Sequence, residues 1–290
     1  MELIFSTVIN GLSLGGIYAM IALGYTMVYG IAKLLNFAHG DIIMVGGYIV
    51  YVFLATKNPI LAIVMAVIGC VILGICIEKV AYKPLRGASP LAVLITAIGV
   101  SNLLQSLAQI IFGSAPKMAT VYDFGVIKMF GATIQISSLV TLGVTFVVMV
   151  ALTMFVKYTR IGRAMIAVSE DRSAAQLMGI NVNSIITITF AIGSALAALA
   201  GMFYLLKAPS VSSTLGAMPG IKAFTAAVIG GIGSIPGAML GGILLGMIES
   251  ISYKITAIAP YTDAIEFSIL ILILLVKPNG FLGKKRREKV

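Results

Sequence analysis

From residue 3 to residue 32 the chain runs 30 positions without an Asp, Glu, Lys or Arg. About 20 apolar residues suffice to cross the hydrocarbon core of a bilayer. There the backbone can satisfy its polar groups internally only as a helix or a closed barrel. The pattern recurs at 60–77, 90–113, 133–156, 183–206 and 223–248, and in interrupted form at 34–56 and 264–276. Of the 290 residues 60% are hydrophobic and 10% charged, against about 25% charged in a soluble domain. Mean hydropathy is +1.09. Such a chain is an all-α polytopic membrane protein with about eight or nine transmembrane helices. A soluble enzyme, a disordered chain and a disulfide scaffold are excluded. The 31 glycines suit this class, because small residues let helix backbones approach closely in lipid.

The net charge of +10 does not point to nucleic acid, since the basic residues are scattered between apolar runs and read as topology signals. Cys70 and Cys76 share one apolar run and read as packing thiols. They are too few for a redox framework or a closed zinc site. No basic region precedes the first apolar stretch, so no cleaved signal peptide is expected and that stretch stays in the bilayer. Lys157, Arg160, Arg163 and Arg172 crowd the hydrophilic insert 157–182. Lys284, Lys285, Arg286 and Arg287 crowd the tail 277–290. Both are expected in the cytoplasm, so an even number of crossings must separate them. That holds if 223–255 is broken at the glycine-rich 230–237, with a short helix near 223–229 and a longer one near 238–255. The short half is a candidate for re-entry. Counting back places the N-terminus outside, and Arg86, Arg160, Arg163, Arg172, Arg286 and Arg287 then all lie inside.

The GxxxG pairs Gly11/Gly15, Gly237/Gly241 and Gly242/Gly246, with Gly193, Ala197 and Gly201, predict close helix seams, within the subunit or between subunits. Asn36-Phe37-Ala38-His39-Gly40-Asp41 is the most polar piece of an apolar span, and His39 is the only histidine. Ionisable groups inside a membrane mark a pathway by default; the alternative places these residues in water at a helix end near Lys33. One His and one Asp do not make a metal site. Glu249 is either a buried pathway carboxylate or a partner of Lys254 at the surface. Gly230, Gly231, Gly233 and Pro236 resemble a phosphate loop only superficially. No Lys-Ser/Thr follows and no strand precedes. A helix break lining a cavity fits better. The tentative pathway set is therefore Asn36, His39, Asp41, Gly230, Gly231, Gly233, Pro236 and Glu249. No catalytic constellation is visible.

The insert carries a short helix over 169–181. Its first turn is acidic, with Asp171, which suits the helix dipole. Ala174, Ala175, Leu177 and Met178 form an apolar face, and Gly179 is placed for a left-handed cap. That face needs either the membrane surface or a groove in a partner protein.

Ala174-Ala175 followed by Gly179 resembles the cytoplasmic coupling motif of bacterial ABC importer permeases. The whole chain is similar to the LivH-type permeases of branched-chain amino acid ABC importers. The matching pieces are Leu35-Asn36-Phe37-Ala38-His39-Gly40-Asp41, Thr159-Arg160-Ile161-Gly162-Arg163-Ala164-Met165, Ala175-Gln176-Leu177-Met178-Gly179-Ile180-Asn181, Ala223-Phe224-Thr225-Ala226, the 230–237 segment and Lys277-Pro278-Asn279-Gly280-Phe281-Leu282-Gly283. Ile166 stands where a basic residue is common, and Lys277 where Arg is frequent. The resemblance implies one transmembrane permease domain over 1–290, with a coupling loop at 157–182, in the bacterial inner membrane. It implies a second homologous permease subunit in a heterodimer, two cytoplasmic ATPase subunits and an extracytoplasmic substrate-binding protein. ATP and Mg would be bound by the ATPases, with no cofactor in this chain. Asp171, Ala174, Ala175, Leu177, Met178 and Gly179 would couple transport to hydrolysis. Leucine, isoleucine and valine are the implied cargo. A related permease for urea, amides, other amino acids or nucleosides differs only in cargo. An ion-coupled secondary transporter would need midplane carboxylates and no ATPase partner.

Overall fold

The computed structural model describes residues 2–34, 36–119, 124–129 and 131–283. Leu35 and the basic residues at 284–287 lie outside the described residues. Eleven α-helices follow in order among them: α1 (Glu2–Ala32), α2 (His39–Leu54), α3 (Pro59–Ile77), α4 (Pro90–Phe112), α5 (Ile136–Tyr158), α6 (Arg160–Glu170), α7 (Arg172–Leu177), α8 (Val182–Lys207), α9 (Ala217–Gly230), α10 (Ile235–Lys254) and α11 (Thr262–Val276). Seven helical stretches, those of α1, α3, α4, α5, α8, α10 and α11, are long and apolar enough to cross a membrane. α2 and α9 are apolar but shorter.

Two short antiparallel pairs join the helices. β1 (Lys117–Met118) pairs with β4 (Ser210–Val211), and β2 (Val126–Met129) with β3 (Ala132–Gln135). β1 and β2 lie between the apolar runs 90–113 and 133–156, β3 at the start of the second of these, and β4 just after 183–206.

Two parts of the chain repeat one plan. α1 ends, the chain turns back, and α2 starts; a four-residue turn leads to α3. α8 ends, the chain turns back through β4, and α9 starts; a four-residue turn leads to α10. Each turn closes on a side-chain cap followed by proline in the first helical turn. Asn58 accepts from the Leu61 amide before Pro59, and Ser234 from the Gly237 amide before Pro236. A cap satisfies amides the helix cannot, and proline has no amide to waste there. α1 packs on α10 as α8 packs on α3, and α2 packs on α8 as α9 packs on α1. The copies are inverted. The end of α1 meets Arg172, just before α8 begins, while Lys207 at the end of α8 reaches back to the Asn10 carbonyl near the start of α1.

The small-residue stripes form seams within the chain. A methyl on Gly15 would press on the Ile243 backbone at 2.7 Å, and one on Gly242 or Gly246 would overlap Ala19 or Gly15. Gly237 and Gly241 face Gly230 and Ala226 on α9, and Gly193 faces Gly24. This places α1, α8, α9 and α10 in the buried centre, while α4 and α11 keep most of their surface outward.

Three expectations shift. The span over 34–56 becomes helix only at His39, because Lys33 turns left-handed at φ 54 and ends α1. The break in 223–255 narrows to residues 231–234, and α9 begins earlier, at Ala217. Gly237 stays helical because it is a contact residue and not a breaker. The single insert helix over 169–181 divides, because Asp171 is extended (φ −152, ψ 112) and separates α6 from α7.

Candidate functional site

The chain folds back where α2 begins. His39 lies against Gly24 of α1, which also faces the Gly193 carbonyl of α8. Gly24 is eight residues before the end of α1, or about 12 Å at 1.5 Å per residue. α2 therefore starts part-way through the bundle. So does α9, because Gly216 and Gly40 touch. A methyl on Gly40 would meet the Gly216 carbonyl at 2.5 Å, and one on Gly216 would overlap the Gly40 carbonyl. Only glycine allows two helix N-termini to abut in this way. Their positive dipole ends converge in the interior.

A cavity of about 240 Å³ opens beside this junction. Gly40, Gly216, Ala217 and Gly220 form its backbone wall, and Asp41, Ser101, Gln105 and Tyr25 its polar side. Phe37, Ile98, Ile221 and Phe224 form the apolar side. Asp41 is 4% exposed. Gln105 Nε2 donates to its Oδ1 at 2.9 Å and also lies 3.2 Å from Ser101 Oγ. The Tyr25 and Phe224 rings stand 5.8 Å apart, and those of Phe37 and Phe224 5.9 Å. The half-exposed Phe37, Ile98 and Ile221 mark its open edge.

Nearer the end of α1, a second small cavity is lined by Tyr29, Asn36, Phe224 and Ile232. The Asn36 segment and the α9–α10 turn thus meet. Asn36 accepts from Tyr82 Oη at 2.9 Å, and its Nδ2 has no partner. Gly231 and Gly233 take φ 105 and 93 in that turn. Gly231 is pressed by the chain end, where Phe281 and Leu282 donate amides to the Ile229 and Gly230 carbonyls. Pro236 opens α10. None of Gly230, Gly231, Gly233 or Pro236 lines the larger cavity. His39 does not line it either: it packs edge-on to Tyr25, ring centroids 4.6 Å apart, at 1% exposure.

Glu249 is buried, as one of its two readings requires. It does not pair with Lys254. Lys222 of α9 reaches it at 3.1 Å, Asp263 at 2.8 Å and Glu266 at 3.3 Å. Tyr18 donates to the other Glu249 oxygen at 2.6 Å. Lys222, Glu249 and Glu266 are buried, so the cluster ties the short α9 to α1, α10 and α11. Among the described residues, no three His, Cys, Asp or Glu side chains are arranged to hold a metal.

On the face where α1 ends, Gly162 lets the chain bend from α5 into α6, since a methyl there would overlap Val156. Asp171 caps α7 by accepting from the Ser173 and Ala174 amides at 2.9 and 3.0 Å. Gly179 takes φ 80 and donates to the Gln176 carbonyl, ending the helix left-handed. Leu177 and Met178 are 89% and 82% exposed. Ala175 corrects the expectation of a four-residue apolar face, since it is buried beneath the helix and not presented by it. Arg172 donates to the Ile31 and Ala32 carbonyls, so the insert grips the end of α1. Burial, and Arg86 beside it, lower its pKa from the usual range.

Sequence reasoning passed over Ser101, Gln105, Tyr25, Lys222 and Arg172 as site residues. A signal existed for the first two. Ser101, Gln105 and Gln109 recur every four residues along a charge-free span, and such a polar stripe on a membrane helix faces protein or a pathway. Gln109 indeed bonds Ser213 at 3.1 Å. Lys222 gave no signal, because its three acidic partners come from α10 and α11.

The family model described as "Branched-chain amino acid transport system / permease component" matches residues 7–274. The chain is 43% identical to the high-affinity branched-chain amino acid transport system permease protein BraD of Pseudomonas aeruginosa, over 97% of this chain and 96% of that one. It is 42% identical to the LivH permease protein of Escherichia coli K12 over the same shares. The ribose import permease protein RbsC of Haemophilus influenzae is 26% identical, over 96% of this chain and 86% of its own. No solved structure matches the chain.

Proposed function

Because the chain belongs to the family of branched-chain amino acid transport system permease components, we propose that it is the membrane-spanning permease subunit of an ABC importer carrying leucine, isoleucine and valine. The observation that carries this reading is 43% identity over 97% of the chain to a permease of that cargo. The subunit forms half of the pathway, and a second homologous permease subunit forms the other half. Two cytoplasmic ATPase subunits bind ATP and Mg and hydrolyse the nucleotide. An extracytoplasmic binding protein delivers the amino acid. The N-terminus is outside and the insert and tail are cytoplasmic. The fold supports this division of labour in two places. α7 presents Leu177 and Met178 to a partner groove, and a carboxylate-bearing cavity with an exposed edge belongs against a partner, not against lipid.

The test is uptake of radiolabelled leucine into proteoliposomes holding the complete importer, with ATP inside and binding protein outside. Leucine uptake that isoleucine and valine suppress is expected. Transport of ribose, urea or a nucleoside without competition by leucine would overturn the cargo assignment. Uptake that persists without ATPase subunits would overturn the class.

A further inference from the structure

The cavity at the α2–α9 junction has a chemical polarity that the permease role alone does not require. Among the described residues, Asp41 is the only carboxylate in its wall. It is buried, and among the described residues no Lys, Arg or His forms an ion pair with it. A carboxylate has room for about four hydrogen bonds; Gln105 supplies one from its neutral amide. Ser101, the Asp41 backbone amide and the first turn of α2 add polar contacts. Yet among the described residues no full positive charge faces this buried carboxylate, and a buried charge without a counter-charge is costly, so the site suits a cation that arrives from elsewhere. A single carboxylate with amide and hydroxyl neighbours is too little for a divalent metal, which takes six or more oxygens. It suits a primary ammonium. Opposite lie the rings of Phe37 and Phe224 with Ile98 and Ile221, an apolar wall for a short side chain. The N-termini of α2 and α9, both longer than one turn, converge on the same space and favour a carboxylate there. At about 240 Å³ the cavity is below the usual 300–1,000 Å³ of ligand pockets, so it admits one small molecule.

We propose that this cavity is a substrate site within the permease itself: Asp41, oriented by Gln105, takes the α-ammonium of the amino acid in transit, and Phe37, Ile98, Ile221 and Phe224 take its side chain. The binding protein would then be the first of two selections, the second made inside the membrane. This rests on the amino-acid cargo proposed above.

The experiment uses the complete importer in proteoliposomes, with L-leucine and L-valine as probes. Asp41→Asn keeps the shape and removes the charge. Leucine uptake should fall about ten- to a hundredfold, the loss expected when a hydrogen bond to a charged group goes, while the complex assembles normally by size-exclusion chromatography. In detergent, without binding protein, radiolabelled leucine should bind the wild-type complex, and 4-methylpentanoate, which lacks the amino group, should not displace it. Phe224→Trp narrows the apolar side and should shift the leucine-to-valine uptake ratio several-fold toward valine. This second variant carries the test if Asp41→Asn fails to assemble. Wild-type uptake by Asp41→Asn, equal displacement by 4-methylpentanoate, or an unchanged ratio in Phe224→Trp would overturn the inference. Each of these leaves leucine uptake by the wild-type importer intact, whereas a wild type that carries no amino acid would instead remove the cargo assignment.

Discussion

Lys222 shows how much one side chain can hold in an apolar bundle. Its ammonium lies within 3.3 Å of three carboxylates, two of them buried. Lys222→Met would leave Glu249 and Glu266 buried without their cation. Breaking a buried ion pair from one side costs about 3–5 kcal/mol. The purified complex should therefore melt at a markedly lower temperature in detergent, and Lys222→Met combined with Glu249→Gln and Glu266→Gln should recover part of the loss. An unchanged melting point for the single variant would show that the carboxylates hold protons and do not need the lysine. Asp263 is half exposed, and Asp263→Asn should cost under about 1 kcal/mol, as exposed pairs do. None of this is legible at Lys222 itself. A lone lysine beside an apolar run has the same sequence signature whether it marks a membrane edge or closes a buried cluster.

At the level of the elements, α7 separates presentation from support. Leu177→Asp and Met178→Asp change side chains that are 89% and 82% exposed, so the permease should keep its stability while ATPase subunits no longer co-purify. Ala175→Glu puts a carboxylate under the helix, where Ala175 is 3% exposed; it should lower the yield of folded subunit first and coupling only as a consequence. If Leu177→Asp and Met178→Asp leave ATPase co-purification and uptake intact, α7 is not the docking helix. Gly179→Val forces a β-branched residue to φ 80, a strain of about 1–3 kcal/mol, and should fray the end of α7. The same reasoning applies to the α9–α10 turn. Gly233→Leu must adopt φ 93 beside Gly30, so uptake should fall even where the complex assembles. Wild-type uptake by this variant would show that the turn tolerates a side chain and is not part of the moving pathway. The caps and stops of these elements follow from local chemistry, which is why Gly179 and the 231–234 break are visible in sequence. The buried side of Ala175 depends on what lies below it.

For the whole molecule, orientation is the property to measure. A cysteine replacing Gln176, exposed on α7, should react with a membrane-impermeant thiol reagent only from the cytoplasmic side. One replacing Met118, 71% exposed beside β4, should react only from outside, in a background lacking Cys70 and Cys76. Reversal at either position would invert the topology proposed from the arginine distribution.

Membrane segments, their approximate ends and the break between α9 and α10 are properties of contiguous chain. Each follows from the length of an apolar run, a glycine or proline that cannot continue a helix, and a basic flank, so the sequence alone determines them. The inverted pairing of α1–α3 with α8–α10, the meeting of Gly40 with Gly216, the cavity that joins Asp41 to Gln105 and the carboxylates around Lys222 were decided only in the folded molecule. These contacts join residues from 27 to more than 200 positions apart. In an apolar solvent hydrophobicity no longer says which face of a helix turns inward. Close packing of small residues and the pairing of buried charges make that choice, and both depend on partners brought by other helices.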